Sequence, residues 1–354
     1  MSEKYFLGCM TQQGFSTEFG KLMAEGGRFT YILKGGAGTG KSSLMKRIAS
    51  EFEKSEHVVR FFCSSDPCSL DAVMLEDSGV LIVDGTSPHV FDPVYPAVSQ
   101  KIIDLGQFWD AQKLTACKDN IITVTDKNKS LLARAKRFSA ALSNVCSDSF
   151  NCARGCIDEE KLETFLARFY KKILPRKGNG TGKREMRQLS ALTEYGCMTW
   201  TETTDQYIEK YLLRDEDFAC AHLVCEMTAA EAVRRGFDVI LCPCHGLNNT
   251  AYEHLLIPEL GLALISSTLL NKLADDSSTK INLSRFYDKM AVSRYRSRLK
   301  MNRLTMVSLA EEVYGTIKAA KAVHDDIEKY YIEAMDFEKV GQLTEKLIAE
   351  IREK

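Results

Sequence analysis

Residues Gly35 to Ser42 read Gly-Gly-Ala-Gly-Thr-Gly-Lys-Ser, and few stretches of this length restrict a fold so tightly. The spacing G-x-x-x-x-G-K-[ST] is useful only between a buried strand and a helix. Its glycines let successive N–H groups turn inward around a phosphate chain, and the loop opens onto a helix N-terminus whose partial positive charge favours anions. Both flanks are present. The apolar run Phe29 to Leu33 precedes the motif, and Leu44, Met45, Ile48, Ala49 and Phe52 follow it at helical spacing. On this reading Gly35, Gly36, Ala37, Gly38, Thr39, Gly40, Lys41, Ser42 and Ser43 form a cradle for a nucleoside triphosphate. Lys41 reaches the β and γ phosphates, and the Ser42 hydroxyl sits on Mg²⁺.

The neighbouring segments extend the pattern. Tyr5 to Met10 reads as a strand, Ser16 as the cap of a short helix running to Glu25, and Val58 to Phe62 as a second buried strand after the motif's helix. Gly79 to Asp84 is a third, and an apolar strand ending in a carboxylate is what holds magnesium opposite a phosphate loop, which makes Asp84 the second metal ligand. Strands alternating with helices point to an α/β fold with a parallel sheet. Beyond Pro96 the pattern turns helical through residue 173, with long stretches at Leu131 to Val145 and Glu159 to Ile173.

The order then begins again. Gly196-Cys197-Met198-Thr199 repeats Gly8 to Thr11, Tyr211 to Arg214 answers Tyr31 to Lys34, Phe237 to Leu241 answers the second strand, and Gly261 to Ile265 answers Gly79 to Val83. Ser308-Leu309 matches Ser130-Leu131, and Asp336, Glu338 and Lys339 match Asp158, Glu160 and Lys161. These blocks describe tandem phosphate-loop repeats, each followed by a helical arm. Residues 1–174 form the active copy and 191–354 a degenerate one. Between them 175–190 read as a basic linker, in which Lys177 to Arg184 imitates the loop without its first glycine or its Ser/Thr. In the second copy Asp215-Glu216-Asp217 stands where the glycines were and Ser266 where Asp84 was, so phosphates should be repelled there.

The 354 residues carry a net charge of −1, which gives no case for nucleic acid or an anionic membrane as partner. No apolar run is long enough to span a bilayer, and no signal segment opens the chain. The 12 cysteines lie scattered through apolar segments, as suits a reducing compartment, so the expected location is the cytoplasm. Cys242-Pro243-Cys244-His245 and the group Cys146, Cys152 and Cys156 lack the paired spacing of a zinc site.

Cys63-Ser64-Ser65-Asp66-Pro67-Cys68-Ser69-Leu70-Asp71 and Asp84-Gly85-Thr86-Ser87-Pro88-His89 resemble a bacterial family of two-repeat P-loop ATPases, over nearly the full length. The resemblance implies ATP binding and hydrolysis. In that family the second half can also carry a P-loop, so the acidic replacement here is a departure. Residues after parallel strands line the ligand crevice, which brings Asp66 and His89 forward as groups that orient a water or sense hydrolysis. The plainer readings are a turn residue for Asp66, a cap for His89 and a helix cap for Asp71. No carboxylate follows Asp84, so intrinsic hydrolysis should be slow.

The expectation is therefore a Mg²⁺-dependent ATPase switch whose arms respond to nucleotide and offer a surface to a protein partner. Alternatives are a kinase moving the γ-phosphate to a small molecule or nucleotide, and a scaffold that binds ATP without turnover. The basic stretch Arg294, Arg296, Arg298, Lys300 and Arg303 reads as a solvated helix surface, or as the source of an arginine that completes the first copy's site.

Overall fold

The computed structural model describes residues 3–11, 14–17, 27–87, 90–176, 180–247, 250–274 and 277–354. The chain folds into two compact units, each α/β and built on its own six-stranded sheet. The first comprises Met1–Gly8, Phe15–Ala135 and Tyr314–Lys354, the second Cys9–Gly14 and Lys136–Val313. The units therefore depart from the contiguous halves 1–174 and 191–354. Each takes its last helices from the other half of the sequence. The boundaries fall inside two helices of 37 and 38 residues, Lys118–Arg154 (α3) and Arg296–Glu333 (α7). At 1.5 Å per residue each is roughly 55 Å long.

The first sheet has the order β1-β5-β6-β7-β4-β8, from Glu3–Phe6 (β1), Val58–Phe62 (β5), Leu70–Leu75 (β6), Val80–Asp84 (β7), Phe29–Lys34 (β4) and Gln100–Asp104 (β8). The remaining N-terminal strands are Gly8–Thr11 (β2) and Gly14–Thr17 (β3). Ser16 thus lies in a strand rather than at a helix cap, and the helix expected after it falls on residues outside those described.

The sheet is mixed where the sequence pattern suggested a parallel one. β6 runs antiparallel to both β5 and β7, while β1–β5, β4–β7 and β4–β8 are parallel. The segment Leu70-Asp71-Ala72-Val73-Met74-Leu75 is buried throughout, so it has no alternation to betray it, and its Asp71 suggested a helix cap. Only a short turn separates it from β5, too short for the crossover a parallel return needs. Asp71 sits in this strand at 7% exposure. β8 likewise interrupts the stretch that looked helical from residue 97.

Helix α1, Lys41–Phe52, packs Leu44, Met45, Ile48, Ala49 and Phe52 toward the sheet. Asp110 caps the N-terminus of Ala111–Ala116 (α2), its carboxylate accepting the N–H groups of Gln112 and Lys113. The last helix, Phe337–Arg352 (α8), packs beside α1, where Arg47 pairs with Glu345, and Arg352 with Glu51.

The second sheet repeats the first strand for strand: β16-β12-β15-β14-β13-β9. Its members are Thr279–Asn282 (β16), Glu209–Arg214 (β12), Leu262–Ser267 (β15), Tyr252–Ile257 (β14), Val239–Pro243 (β13) and Arg184–Met186 (β9). β14 is its antiparallel strand. β9 pairs with β13 as β1 does with β5, so part of the supposed linker is an edge strand. Two further strands, Ser190–Thr193 (β10) and Gly196–Thr199 (β11), pair antiparallel.

One of the matched blocks is thereby corrected. Gly8–Thr11 directly follows β1, whereas Gly196–Thr199 is the second strand after β9, so the shared Gly-Cys-Met-Thr is out of structural order. The later matches hold their places. Leu33 faces Asp84 across β4 and β7, and Leu213 faces Ser266 across β12 and β15. Asp158 caps Glu159–Ile173 (α4) as Asp336 caps α8, and Asp288 caps Lys289–Arg294 (α6) as Asp110 caps α2. Ala219–Arg234 (α5) occupies the place of α1.

Among the described residues no helix is long and apolar enough to cross a membrane.

Candidate nucleotide-binding site

β4 ends at Lys34, and the backbone then passes through three glycines with positive φ: Gly35 at 155°, Gly38 at 69° and Gly40 at 86°. Side chains are strained in that region, so the turn from strand to α1 depends on glycine. Gly38 carries a second constraint. A Cβ there would lie 2.8 Å from the Glu328 carbonyl oxygen of α7.

Lys41 opens α1 and is 9% exposed. Its ammonium donates to the Gly36 carbonyl at 2.7 Å and the Gly35 carbonyl at 3.3 Å. It stands 3.6 Å from the Asp84 carboxylate. That meeting follows from the strand order, because β4 and β7 are neighbours in register and both end at the same edge. The Ser42 hydroxyl accepts the Leu70 N–H at 3.0 Å, and Asp84 Oδ1 accepts the Thr86 N–H at 2.8 Å. Thr39 closes the turn by donating its hydroxyl to the Gly36 carbonyl at 2.9 Å. Lys41, Ser42 and Asp84 are thus gathered at the carboxyl ends of two adjacent parallel strands.

Gly85 explains why no carboxylate follows Asp84. A Cβ at this position would lie 2.4 Å from Ile32 Cγ2, so any side chain there would have to push Ile32 aside. Asp66 answers to the turn reading: its carboxylate accepts the Cys68 N–H at 3.1 Å and the Ser69 hydroxyl at 2.8 Å. It also faces a cation that no local sequence signal announces. Lys321 of α7 stands 3.5 Å away. Burial pulls the Lys321 ammonium down, but Asp325 and Asp66 more than offset it and hold its pKa above the usual lysine value. His89 lies outside the described residues.

The same helix brings more to the loop. Glu328 Oε1 accepts the Gly38 N–H at 3.3 Å, in the place an anionic phosphate oxygen would take. A Cβ on Gly36 would lie 3.3 Å from Tyr331 and 3.4 Å from Trp109, whose rings meet at 5.6 Å between centroids. Nothing in the local sequence of residues 35–42 announces partners nearly three hundred positions away. His324, Asp325 and Glu328 offer ligand atoms within 4.8 Å of one another, as acids and histidines a turn apart on a helix commonly do.

No family model, curated protein or solved structure matches this chain.

The corresponding edge of the second unit is built otherwise. Asp215 turns inward, and its Oδ2 accepts the N–H groups of Cys220 and Ala221, both at 2.9 Å. The chain thus supplies its own carboxylate to the helix N-terminus that would otherwise attract a phosphate. Tyr287 donates its hydroxyl to the same group at 2.9 Å. Burial raises the Asp215 pKa to about 6, against the lowering effect of these donors. Arg303 is bound to Asp217 at 2.7 Å and lies 3.4 Å from Glu216, and Arg298 forms a pair with Asp148. Two of the four arginines read as candidates to complete the phosphate site are therefore held by acids of the second unit. The cation placed beside Asp66 is Lys321.

Proposed function

We propose that the first unit binds ATP with Mg²⁺ and hydrolyses it slowly, as a nucleotide-dependent switch. The observation that carries this reading is the convergence of Lys41 and Asp84, 3.6 Å apart at the end of a glycine turn. The residues fit the ligand. Lys41 is held by two backbone carbonyls that it would exchange for phosphate oxygens, and a phosphate contact to an ammonium is a charge-assisted hydrogen bond, stronger than one to a neutral carbonyl. Ser42 Oγ and the Asp84 carboxylate would hold Mg²⁺, which supplies neutralisation of charge on the phosphates when bound. The glycine turn leaves the N–H groups of the loop available at close approach.

Slow turnover follows from Gly85, which excludes a water-polarising carboxylate beside Asp84. Asp66 is tied into its own turn and to Lys321, so it serves better to report on the γ-phosphate than to abstract a proton. Binding of the triphosphate must displace Glu328 from the Gly38 N–H, and that links the loop to α7.

The test is nucleotide titration and phosphate release with the full chain. Lys41→Ala should fold normally, judged by circular dichroism and melting, and lose ATP binding by at least about a hundredfold, since charge-assisted contacts to phosphate are the strong ones. An unchanged ATP affinity in that variant would remove the assignment.

A further inference from the structure

In the first unit α7 lies against the glycine turn closely enough to fix what its side chains reach. The Glu328 carbonyl oxygen stands 2.8 Å, and the Ile332 side chain 3.1 Å, from where a Cβ of Gly38 would be. Glu328 Oε1 accepts the Gly38 N–H at 3.3 Å. Lys321 precedes Glu328 by two turns of the same helix, so the two share a face and stand about 10 Å apart along the axis. That face presents an anion to the N–H groups of the turn and, further along, a cation.

A second set of contacts decides where the cation stands. The Lys321 ammonium is 3.5 Å from Asp66 Oδ2, in the turn that follows β5. The Ser69 N–H closes that turn by donating to the Asp66 carbonyl at 2.8 Å, and the next residue, Leu70, donates its N–H to Ser42 Oγ at 3.0 Å. Lys321 therefore faces the same short turn that is bonded to Ser42. A serine in this place serves the β and γ end of a triphosphate, and that is the end Lys321 faces across the turn.

The partners of Lys321 leave it capacity for an anion. Asp325, one helical turn on, accepts one hydrogen bond from the ammonium. The 3.5 Å to Asp66 is longer than the usual hydrogen bond, and the Asp66 carboxylate already accepts the Cys68 N–H and the Ser69 hydroxyl. An ammonium has three donors, so phosphate oxygens can take those that Asp325 does not. The two acids keep the group protonated against its burial.

We infer, given the ATP site proposed for the first unit, that Lys321 is a catalytic residue: once the triphosphate has displaced Glu328, the Lys321 ammonium contacts the γ-phosphate and stabilises the charge gathered there during hydrolysis. Water adds to the γ-phosphorus, and the bond to the β–γ bridging oxygen breaks with its electron pair leaving on ADP. One proton of the water stays on the phosphate released and the other passes to solvent. Lys321 keeps its own proton throughout and acts as a charge. α7 thus opposes the ligand at one end, through Glu328, and stabilises it at the other.

The experiment compares the full chain with its Lys321→Ala variant in single-turnover phosphate release and in binding of ATP, ADP and ADP with aluminium fluoride. Release should fall about a hundredfold while ADP affinity stays within about twofold of the parent, and the tightening that aluminium fluoride brings to ADP should be lost. Lys321→Arg keeps the charge and should recover at least about a tenth of the parental rate. Asp325→Asn separates a phosphate contact from a merely structural ion pair. Losing either partner of a structural pair costs alike, whereas a Lys321 released from Asp325 should turn ATP over at or above the parental rate. Should alanine lower the melting temperature, Lys321→Met keeps the stem without its charge and is read in the same way. Parental turnover in Lys321→Ala or Lys321→Met, or equal losses in Lys321→Ala and Asp325→Asn, overturns the role of Lys321 while the ATP site stands. A parental chain that binds no ATP overturns both.

Discussion

Asp84 and Glu328 are both carboxylates beside the same glycine turn, and they are expected to act in opposite directions. Asp84 faces Lys41 from the end of β7, where Mg²⁺ would be held, so Asp84→Asn should preserve most nucleotide affinity measured without metal and lose the tightening that Mg²⁺ brings. Titration of ATP at rising Mg²⁺ is the check; a variant that still responds like the parent makes Asp84 a core residue only. Glu328 accepts the N–H that a phosphate oxygen needs. Its negative charge opposes the ligand by something near 1 kcal/mol at a partly exposed site. Glu328→Gln should therefore bind ATP roughly fivefold more tightly, most visibly at low salt where screening is weak. Equal or weaker binding would show that the helix contributes packing and nothing more.

At the scale of elements, α1, α4 and the middle of α3 were legible because apolar residues recur at helical spacing, and Asp158 marks the start of α4 as its cap. Asp336 accepts the Lys339 N–H at 3.1 Å, as Asp158 does for Lys161 at 3.0 Å. Replacing Asp336 by alanine should cost about 1 kcal/mol in chemical denaturation, and ATP affinity should soften with it, because Phe337 packs 3.4 Å from where a Cβ of Gly40 would stand. Two of the strands that went unread, β6 and β14, are of one kind. β6 and β14 are buried on both faces and carry a lone acid, Asp71 or Glu253, so neither period nor polarity separates them from helix. The strand, glycine turn and helix around residues 35–42 were legible. Their covering was not, because Lys321, Glu328 and Tyr331 belong to a helical surface whose neighbours are decided by tertiary packing.

For the molecule as a whole, the second unit carries an unusual load of buried ionisable groups, and their titration should appear in its stability. Glu253 is raised to about 7 by burial. A carboxyl whose folded pKa lies above its unfolded value of 4.5 holds its proton longer when folded, so its contribution to stability declines as pH rises from about 4.5 to 7. His245 and His254, lowered by burial to about 4 and about 3, act the other way: the unfolded chain takes their protons first, and stability falls as pH drops below about 6.5. The groups nearest Glu253 are His254 at 3.9 Å and the thiols of Cys197, Cys225, Cys242 and Cys244, all uncharged in this range. Urea denaturation between pH 4.5 and 8 should therefore show Glu253→Gln gaining on the parent as pH rises, by on the order of 2 kcal/mol across the window. A constant difference would mean that Glu253 titrates as an ordinary carboxylate.

The boundaries inside α3 and α7 also bear on how the protein is made. The unit that carries the glycine turn takes its strands from residues before Ala135 and its final helices from Tyr314 onward. Domains usually fold as they leave the ribosome, first half first. Here the glycine turn, β4 and β7 emerge early, yet α8, whose Glu350 meets Tyr31 and Lys101, emerges only after every strand of the second sheet. The strands between Val58 and Asp84 must wait through the synthesis of the whole second sheet with one face of their unit open. Synthesis that stops within the second sheet therefore leaves Tyr31 and Lys101 without Glu350, and the glycine turn without Glu328 and Tyr331 beside it.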